Sequence, residues 1–505
     1  MTPVYTGSAT VVVTHRGRPA HTGCSPRCLD DAAPVPGALA CEGTGAMKTF
    51  RTAGFAVVAA VALTATACGG GGGGTADGGE AADYGAELSG TMTTGGFTLG
   101  DEVATSRADL ATAALEEDGV TVEINESNFD PQRFAAQAAS GTLPDLVVMD
   151  RQYVATYAAK GLIEPVDECF TTHDVNAEEH YYPAVLQDVT YDGKVYGIPQ
   201  FWQPWSIITN TRVMEEAGVT AEDLDTSNPD AVLAAAEKMY ESDGENPTRL
   251  GFDPQMPSQA PIWFAAFGGQ IMDEDGKPTL DDPANIEALT WLKEIYDAQG
   301  GYETAYSFGQ TWDFFGENNQ FVADQVGAGL YAQWYPNVLA DYADKLEISG
   351  VPLRNQDGEA IAVAGGQSYV IPTGAKNKAA ACKWAVTNTS DEAWMAAAEA
   401  RVSGMEEGGI FTGIFTGSQT ADQLIKEEYL EPTGNEGFDQ LIDSYYQALE
   451  NGVPLGSSPA GLEIQTELQN AMAPAMSGDK TIEEALGDAQ AAAMLVYEQA
   501  TAGAQ

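Results

Sequence analysis

Positive charge is what this 505-residue chain has least of. Lys and Arg total 23 against 74 Asp and Glu, a net charge of −51. A surface that negative repels phosphate backbones and excludes nucleic acid as a partner. Histidine is nearly as scarce, with four residues, two of them before residue 25. Neither H-E-x-x-H nor G-x-S-x-G, P-loop or dinucleotide fingerprint occurs; Gly69–Gly74 lacks the strand and helix that a phosphate loop needs. His173 and His180 are seven apart and could share a helix face, but Glu178–Glu179 between them read as a solvated surface. We therefore expect no metal and no cofactor. Of six cysteines, Cys24, Cys28 and Cys41 precede residue 47, with no second pair at zinc-finger spacing. Beyond residue 67 no apolar run is long enough to span a membrane.

What is present begins with a 44% hydrophobic and 9% aromatic composition, enough for a substantial core. The acidity reads as solubility. Residues 1–46 are irregular, and we expect translation to start at Met47, leaving them unmade or disordered. From Met47, Lys48 and Arg51 precede a short apolar run, Ala53–Ala67, that ends in small residues before Cys68. That pattern over residues 47–67 is a secretory signal, too short for a permanent span. A cysteine directly after the small residues resembles the lipobox of bacterial lipoproteins, in which it is lipidated. Ala65 stands where a bulkier residue is usual. Residues 68–90 are Gly-rich without an apolar face and read as a flexible tether. The chain is thus expected outside the cytoplasm, held to the outer face of the membrane by lipid on Cys68. Cys169 and Cys382 remain: an oxidising compartment favours a disulfide between them, with two buried thiols as the alternative.

Short apolar runs alternate with helical periods. Strands are expected at Thr121–Asn125, Asp145–Asp150, Val195–Pro199, Ser206–Asn210, Leu250–Asp253, Val326–Ala332 and Ala362–Pro372. Helices are expected at Asp130–Ser140, Gln152–Gly161, Pro229–Ser242 and Pro283–Ala298, and after Asp391 the pattern is almost wholly helical. Alternation of this kind implies an α/β fold with parallel sheets wound by crossover helices. Ligands of such sheets sit beyond the carboxyl ends of the strands.

At Tyr191–Asn210 (YDGKVYGIPQFWQPWSIITN) the chain resembles the first crossover of the extracellular solute-binding proteins (family 1, sugar-type) of bacterial ABC importers. Leu143–Leu162, Val326–Pro336 and Ala364–Ser390 are similar to three further stretches of that family, in the same order. The resemblance covers about residues 91–505. It implies the two-lobed, type II periplasmic-binding-protein-like fold, with parallel-sheet lobes joined by crossover strands. Lobe 1 would comprise 91–206 plus 366–402, and lobe 2 would comprise 207–365 plus 403–505. The chain would cross near Trp205–Asn210, near Gly365–Ile371 and around 400–408. It further implies a monomer that closes on a mono- or oligosaccharide and presents it to membrane permease subunits, without catalysis.

Sugars have apolar C–H faces and a hydroxyl rim, which suit aromatic faces combined with amides and carboxylates. The candidate ligand residues are accordingly Trp202 and Trp205 at the first crossover, Trp334 and Tyr335 after a strand end, and Trp312 in a loop. Asp150, Arg151 and Asp253 follow strand ends. Gly366, Gln367 and Ser368 stand on the returning strand, and Phe97 and Asn128 in the first two strand–helix loops. Trp263, Trp291, Trp384 and Trp394 fall on helical faces and read as core. The loop Val453–Gly461 lacks the aromatic that maltodextrin-binding relatives carry there, which argues against maltodextrin. The rival readings are a secreted carbohydrate-active enzyme, with two carboxylates facing across the sugar, or a binding protein for polyamine, iron or peptide.

Overall fold

The computed structural model describes residues 82–406 and 408–502. The expected unmade segment 1–46, the signal 47–67, Cys68 and most of the tether lie outside the described residues. Ten strands build two sheets: β1 (Gly90–Gly95), β2 (Val120–Ile124), β3 (Leu146–Asp150), β4 (Ile198–Pro199), β5 (Trp205–Asn210), β6 (Glu241–Asp243), β7 (Asn246–Asp253), β8 (Val326–Ala332), β9 (Ile348–Pro352) and β10 (Gln367–Val370). The first sheet has the order β2-β1-β3-β10-β4 and the second β9-β5-β8-β7-β6. Nine long helices matter to the argument: α1 (Glu102–Glu117), α2 (Pro131–Ser140), α3 (Pro229–Met239), α4 (Lys378–Asn388), α5 (Asp391–Gly404), α6 (Gln419–Tyr429), α7 (Glu436–Leu449), α8 (Gly461–Ser477) and α9 (Ile482–Ala502).

Local chemistry sets the helix starts. Asp130 and Asn228 each precede a proline, and their side chains accept from the backbone N–H three residues on, at 2.7 and 3.4 Å. The proline has no N–H to leave unsatisfied there.

The sheets are mixed rather than wholly parallel. β1 runs parallel to β2 and β3, and β7 parallel to β8. The strands nearest the crossings run the other way: β10 is antiparallel to β3 and β4, and β5 to β8 and β9. A parallel neighbour needs a crossover of a dozen residues or more, whereas these strands arrive directly from the other sheet.

Other boundaries also move. The run 195–199 divides into Lys194–Val195, hairpinned with Thr190–Tyr191, and β4. The run 362–372 divides likewise, Ala362–Val363 pairing with Gly452–Val453 before β10 begins. The helix from Pro229 stops at Met239, and Glu241–Asp243 becomes a strand because Gly244, at φ +64°, turns the chain into β7. Helix α5 continues to Gly404, and α6 packs on α5. Helix α7, in contrast, packs on β9 and β5 of the second sheet. Residues 430–435 connect α6 to α7, and Phe415, ahead of α6, already packs on Tyr446 of α7 at 4.6 Å.

Both sheets bury aromatic cores. Trp263, Trp291 and Phe252 meet around β7 with ring centroids 5.1–6.4 Å apart, while Trp384 packs on Tyr369 at 5.5 Å. Trp394 lies under the guanidinium of Arg107 at 3.7 Å. Cys169 and Cys382 are disulfide-bonded and fully buried, tying the short helix Asp167–Thr172 to α4 across 213 residues of chain. Removing a crosslink over so long a loop enlarges the unfolded ensemble. The Cys169→Ala/Cys382→Ala variant should lose about 2–5 kcal/mol of stability, read as a lower urea midpoint; an unchanged midpoint would contradict it.

Candidate functional site

The two sheets come together where the chain passes between them, and one cation organises that region. Arg151, directly after β3, is only 1% exposed. Its Nη1 donates to the carbonyls of Phe201 at 2.6 Å and Gln367 at 3.2 Å. Its Nη2 donates to those of Ala364 at 3.1 Å and Gly365 at 2.6 Å. Its backbone N–H donates to Gly366 O at 3.1 Å. The guanidinium thus spans both crossing segments. Burial lowers its pKa to about 10, which leaves it charged at neutral pH, with Asp188 and Asp150 opposing that effect. Gly366 has φ +143°, and a Cβ there would stand 2.3 Å from Phe201 O and 2.7 Å from Arg151 Nη1. Only glycine fits.

Around this pin lie the ends of the strands. On the first sheet Asp150 pairs in register with Gln367, whose Nε2 donates to Asp150 Oδ1 at 3.3 Å. Burial raises the Asp150 pKa. Gln465 of α8 donates its amide to Gln152 Oε1, and Lys160 pairs with Glu463 of α8 at 3.3 Å. On the second sheet Trp205 is in register with Ala332, so Trp205, Gln333 and Trp334 share one sheet end. Trp334 is half-buried and lies nearly parallel to Phe315, 6.0 Å away at 20°. Phe315 is 49% exposed. Trp312 stands edge-on to Phe308 at 6.0 Å. The helix Tyr302–Gly309, just before Trp312, touches α8.

Several buried polar atoms here have no hydrogen-bond partner: Trp312 Nε1, Gln333 Oε1 and Glu463 Oε2. A buried polar atom without a partner costs free energy comparable to a lost hydrogen bond.

The expected residues therefore separate. Trp205, Trp334, Trp312, Asp150 and Gln367 stay partly accessible near the crossings. Others are consumed by structure. Trp202 is fully buried, its Nε1 donating to Val363 O at 3.0 Å, so it fastens the second crossing from within and offers no face. Tyr335 is fully buried with its hydroxyl on Phe314 O at 2.9 Å. Ser368 is buried against Gly197, where a Cβ would meet its Oγ at 2.9 Å. Phe97 packs edge-on to Tyr369 at 6.0 Å in the first core. Asp253 accepts from the backbone N–H and side chain of Gln255, at 3.0 and 2.7 Å, and burial pushes it up to about 6. Asn128 is exposed in the β2–α2 loop, where its carbonyl accepts from Arg133. The Arg151 guanidinium is occupied by the four crossing carbonyls, and Gly366 lies against it and Phe201 O. His180 is likewise structural: its Nδ1 lies 3.0 Å from Thr420 Oγ1 and its Nε2 3.0 Å from Thr389 O.

Gln152, Phe315, Glu463 and Gln465 were not singled out from the sequence. The absent aromatic before α8 has a structural counterpart: a Cβ on Gly461 would come within 2.7 Å of Gln152 O, so α8 lies directly on the first body.

A model of the bacterial extracellular solute-binding protein family matches residues 109–405. The chain belongs to that family. An arabinooligosaccharide-binding protein of Halalkalibacterium halodurans is 27% identical over 187 residues, 36% of this chain and 40% of that one. A binding protein of Brucella abortus is 24% identical over 249 residues, 47% of this chain and 57% of its own length. The chain thus spans about half the length of these curated relatives. Among solved structures, the mannotriose-bound CpMnBP1 superposes with a TM-score of 0.65 at 19% identity, covering 80% of this chain and 99% of that one. The fold is the two-lobed one of such binding proteins, and the family places this solute-binding protein outside the cytoplasm.

The hinge geometry sets two expectations. Arg151→Met would leave four crossing carbonyls without their shared donor and should cost about 3–5 kcal/mol, measured by urea unfolding; a loss under about 1 kcal/mol would refute the pin. Asp188, 1% exposed, accepts from Gly456 N at 3.1 Å and faces Arg151, and burial raises its pKa to about 7. Asp422, held by Thr416 N and Tyr182 Oη, is likewise raised to about 7. A carboxyl whose folded pKa exceeds its unfolded one binds more protons when folded, so stability falls as pH rises from about 4 to 7. Asp188→Asn should flatten part of that slope in thermal unfolding at several pH values; an unchanged slope would contradict the assignment.

Proposed function

We propose that this solute-binding protein delivers a carbohydrate to an ABC importer. On this reading it is a monomer tethered to the outer face of the membrane by lipid on Cys68. One observation carries the reading. At the second sheet's end, beside the first crossing, the half-buried Trp334 on Phe315 forms an aromatic platform, with unpaired buried polar atoms on Gln333 next to it and on Trp312 nearby in the chain. Stacked rings suit the C–H face of a pyranose, and amide or carboxylate atoms suit its hydroxyls. The names of the arabinooligosaccharide-binding relative and of the mannotriose complex support an oligosaccharide.

Lobe 1 is then the body of the first sheet and lobe 2 that of the second, with passages at 199–205 and 363–367. Ligand contacts made to both bodies would favour the closed arrangement, because only that arrangement gains them all. Gln152 and Asp150 would contribute from lobe 1, and Trp334, Trp205 and Trp312 from lobe 2. Permease subunits would recognise the closed form. We assign no bond-breaking step, so the chain acts as a carrier.

Titration with maltotriose, mannotriose and an arabinotriose should shift tryptophan fluorescence and give a calorimetric binding curve for at least one of them. Trp334→Ala should weaken that binding about tenfold or more while its far-UV circular dichroism stays unchanged. Unaltered affinity would remove Trp334 from the site, and product release without stoichiometric binding would point to hydrolysis.

A further inference from the structure

A second pocket opens in the first body. It has a volume of about 430 Å³ and lies between α2 and the β1–β2 side of the first sheet. Neither Asp150, Gln152 nor any residue of the second sheet lines it. It exists because α2 buries only Phe134, and because Gly95 and Gly96 leave its floor without side chains. A Cβ on Gly95 would press on Pro144 Cγ at 3.3 Å.

Its walls combine two chemistries. Phe129, Phe134, Leu143, Pro144 and Val147 supply apolar surface, with Phe129 half-buried and its ring 5.8 Å from that of Phe134. Asn125, Ser127, Asp130, Arg133, Gln137 and Thr142 supply the rim. Much of the rim's capacity is free. Ser127 Oγ accepts from Gly96 N at 3.3 Å and keeps its own proton to donate. Asn125 spends one amide proton on Thr94 O at 3.2 Å and keeps its carbonyl. The side-chain amide of Gln137 has no hydrogen bond among the described residues.

We propose that this pocket is a second binding site for a neutral, polyhydroxylated solute: a saccharide of one or two rings. Its volume falls within the range of about 300–1,000 Å³ usual for small-molecule sites. The charge balance selects against ions: one Arg and one Asp on the rim leave the pocket near neutral, although the chain as a whole carries −51. An aromatic wall facing amides and hydroxyls is the combination that sugar rings require. Phe129 also packs 6.0 Å from Tyr153, outside the pocket. The proposal takes its solute class from the carrier reading but not its location.

Amide chemical-shift mapping with maltose and with mannobiose, at millimolar concentrations, separates the two sites. For at least one sugar, shifts at Gly95, Gly96, Ser127 and Gln137 should saturate independently of those at Gln333 and Trp334. They should persist in Trp334→Ala. Gln137→Trp, on the partly exposed face of α2, should abolish them and leave the Trp334 shifts intact. Shifts confined to Gln333 and Trp334, or absent everywhere, overturn the second site. Shifts at the pocket alone uphold it and count against the cleft at Trp334.

Discussion

A buried guanidinium holding four carbonyls is the constraint on which the arrangement of this molecule rests. Taking the Arg151 charge out of water is costly, and only the carbonyls of both crossing segments, with Asp188 and Asp150 nearby, offset that cost. Those carbonyls belong to residues far apart in sequence, 201 and 364–367. The cation therefore fixes where the two connections run past one another, and with them the ends of β3, β5, β8 and β10. A hinge built this way bends by changing a few backbone angles while its centre stays anchored.

Around that pin, aromatic rings play two parts. Trp202 and Tyr335 are buried with their polar atoms on backbone carbonyls and act as internal struts. Trp334 and Phe315 keep surface available. The difference is not in residue type but in which side of a sheet end each ring falls.

The strands and helices that carry strong patterns were legible. β3, β5 and β8 announce themselves as apolar runs, α2 as a helix with Asp-Pro at its start, and the order of four motifs as a family resemblance. What stayed hidden was non-local. β6 and the first half of β7, Asn246–Arg249, are polar, with no apolar run to mark the hairpin. The packing of α6 on α5 was likewise hidden, since neither helix carries a local mark of its neighbour. Arg151 looked like a ligand group for the same reason: a cation after a strand end reads as exposed until its carbonyl partners, one 50 and three more than two hundred residues away, are seen.

The order of residues alone determined the α/β class, the acidic composition and the resemblance to exported carriers, since composition and local period depend only on near neighbours. Tertiary structure decided which tryptophans are struts and which are platforms, that Cys169 meets Cys382, and that one arginine clasps both crossings. Those outcomes depend on contacts between segments whose separation along the chain carries no local signal.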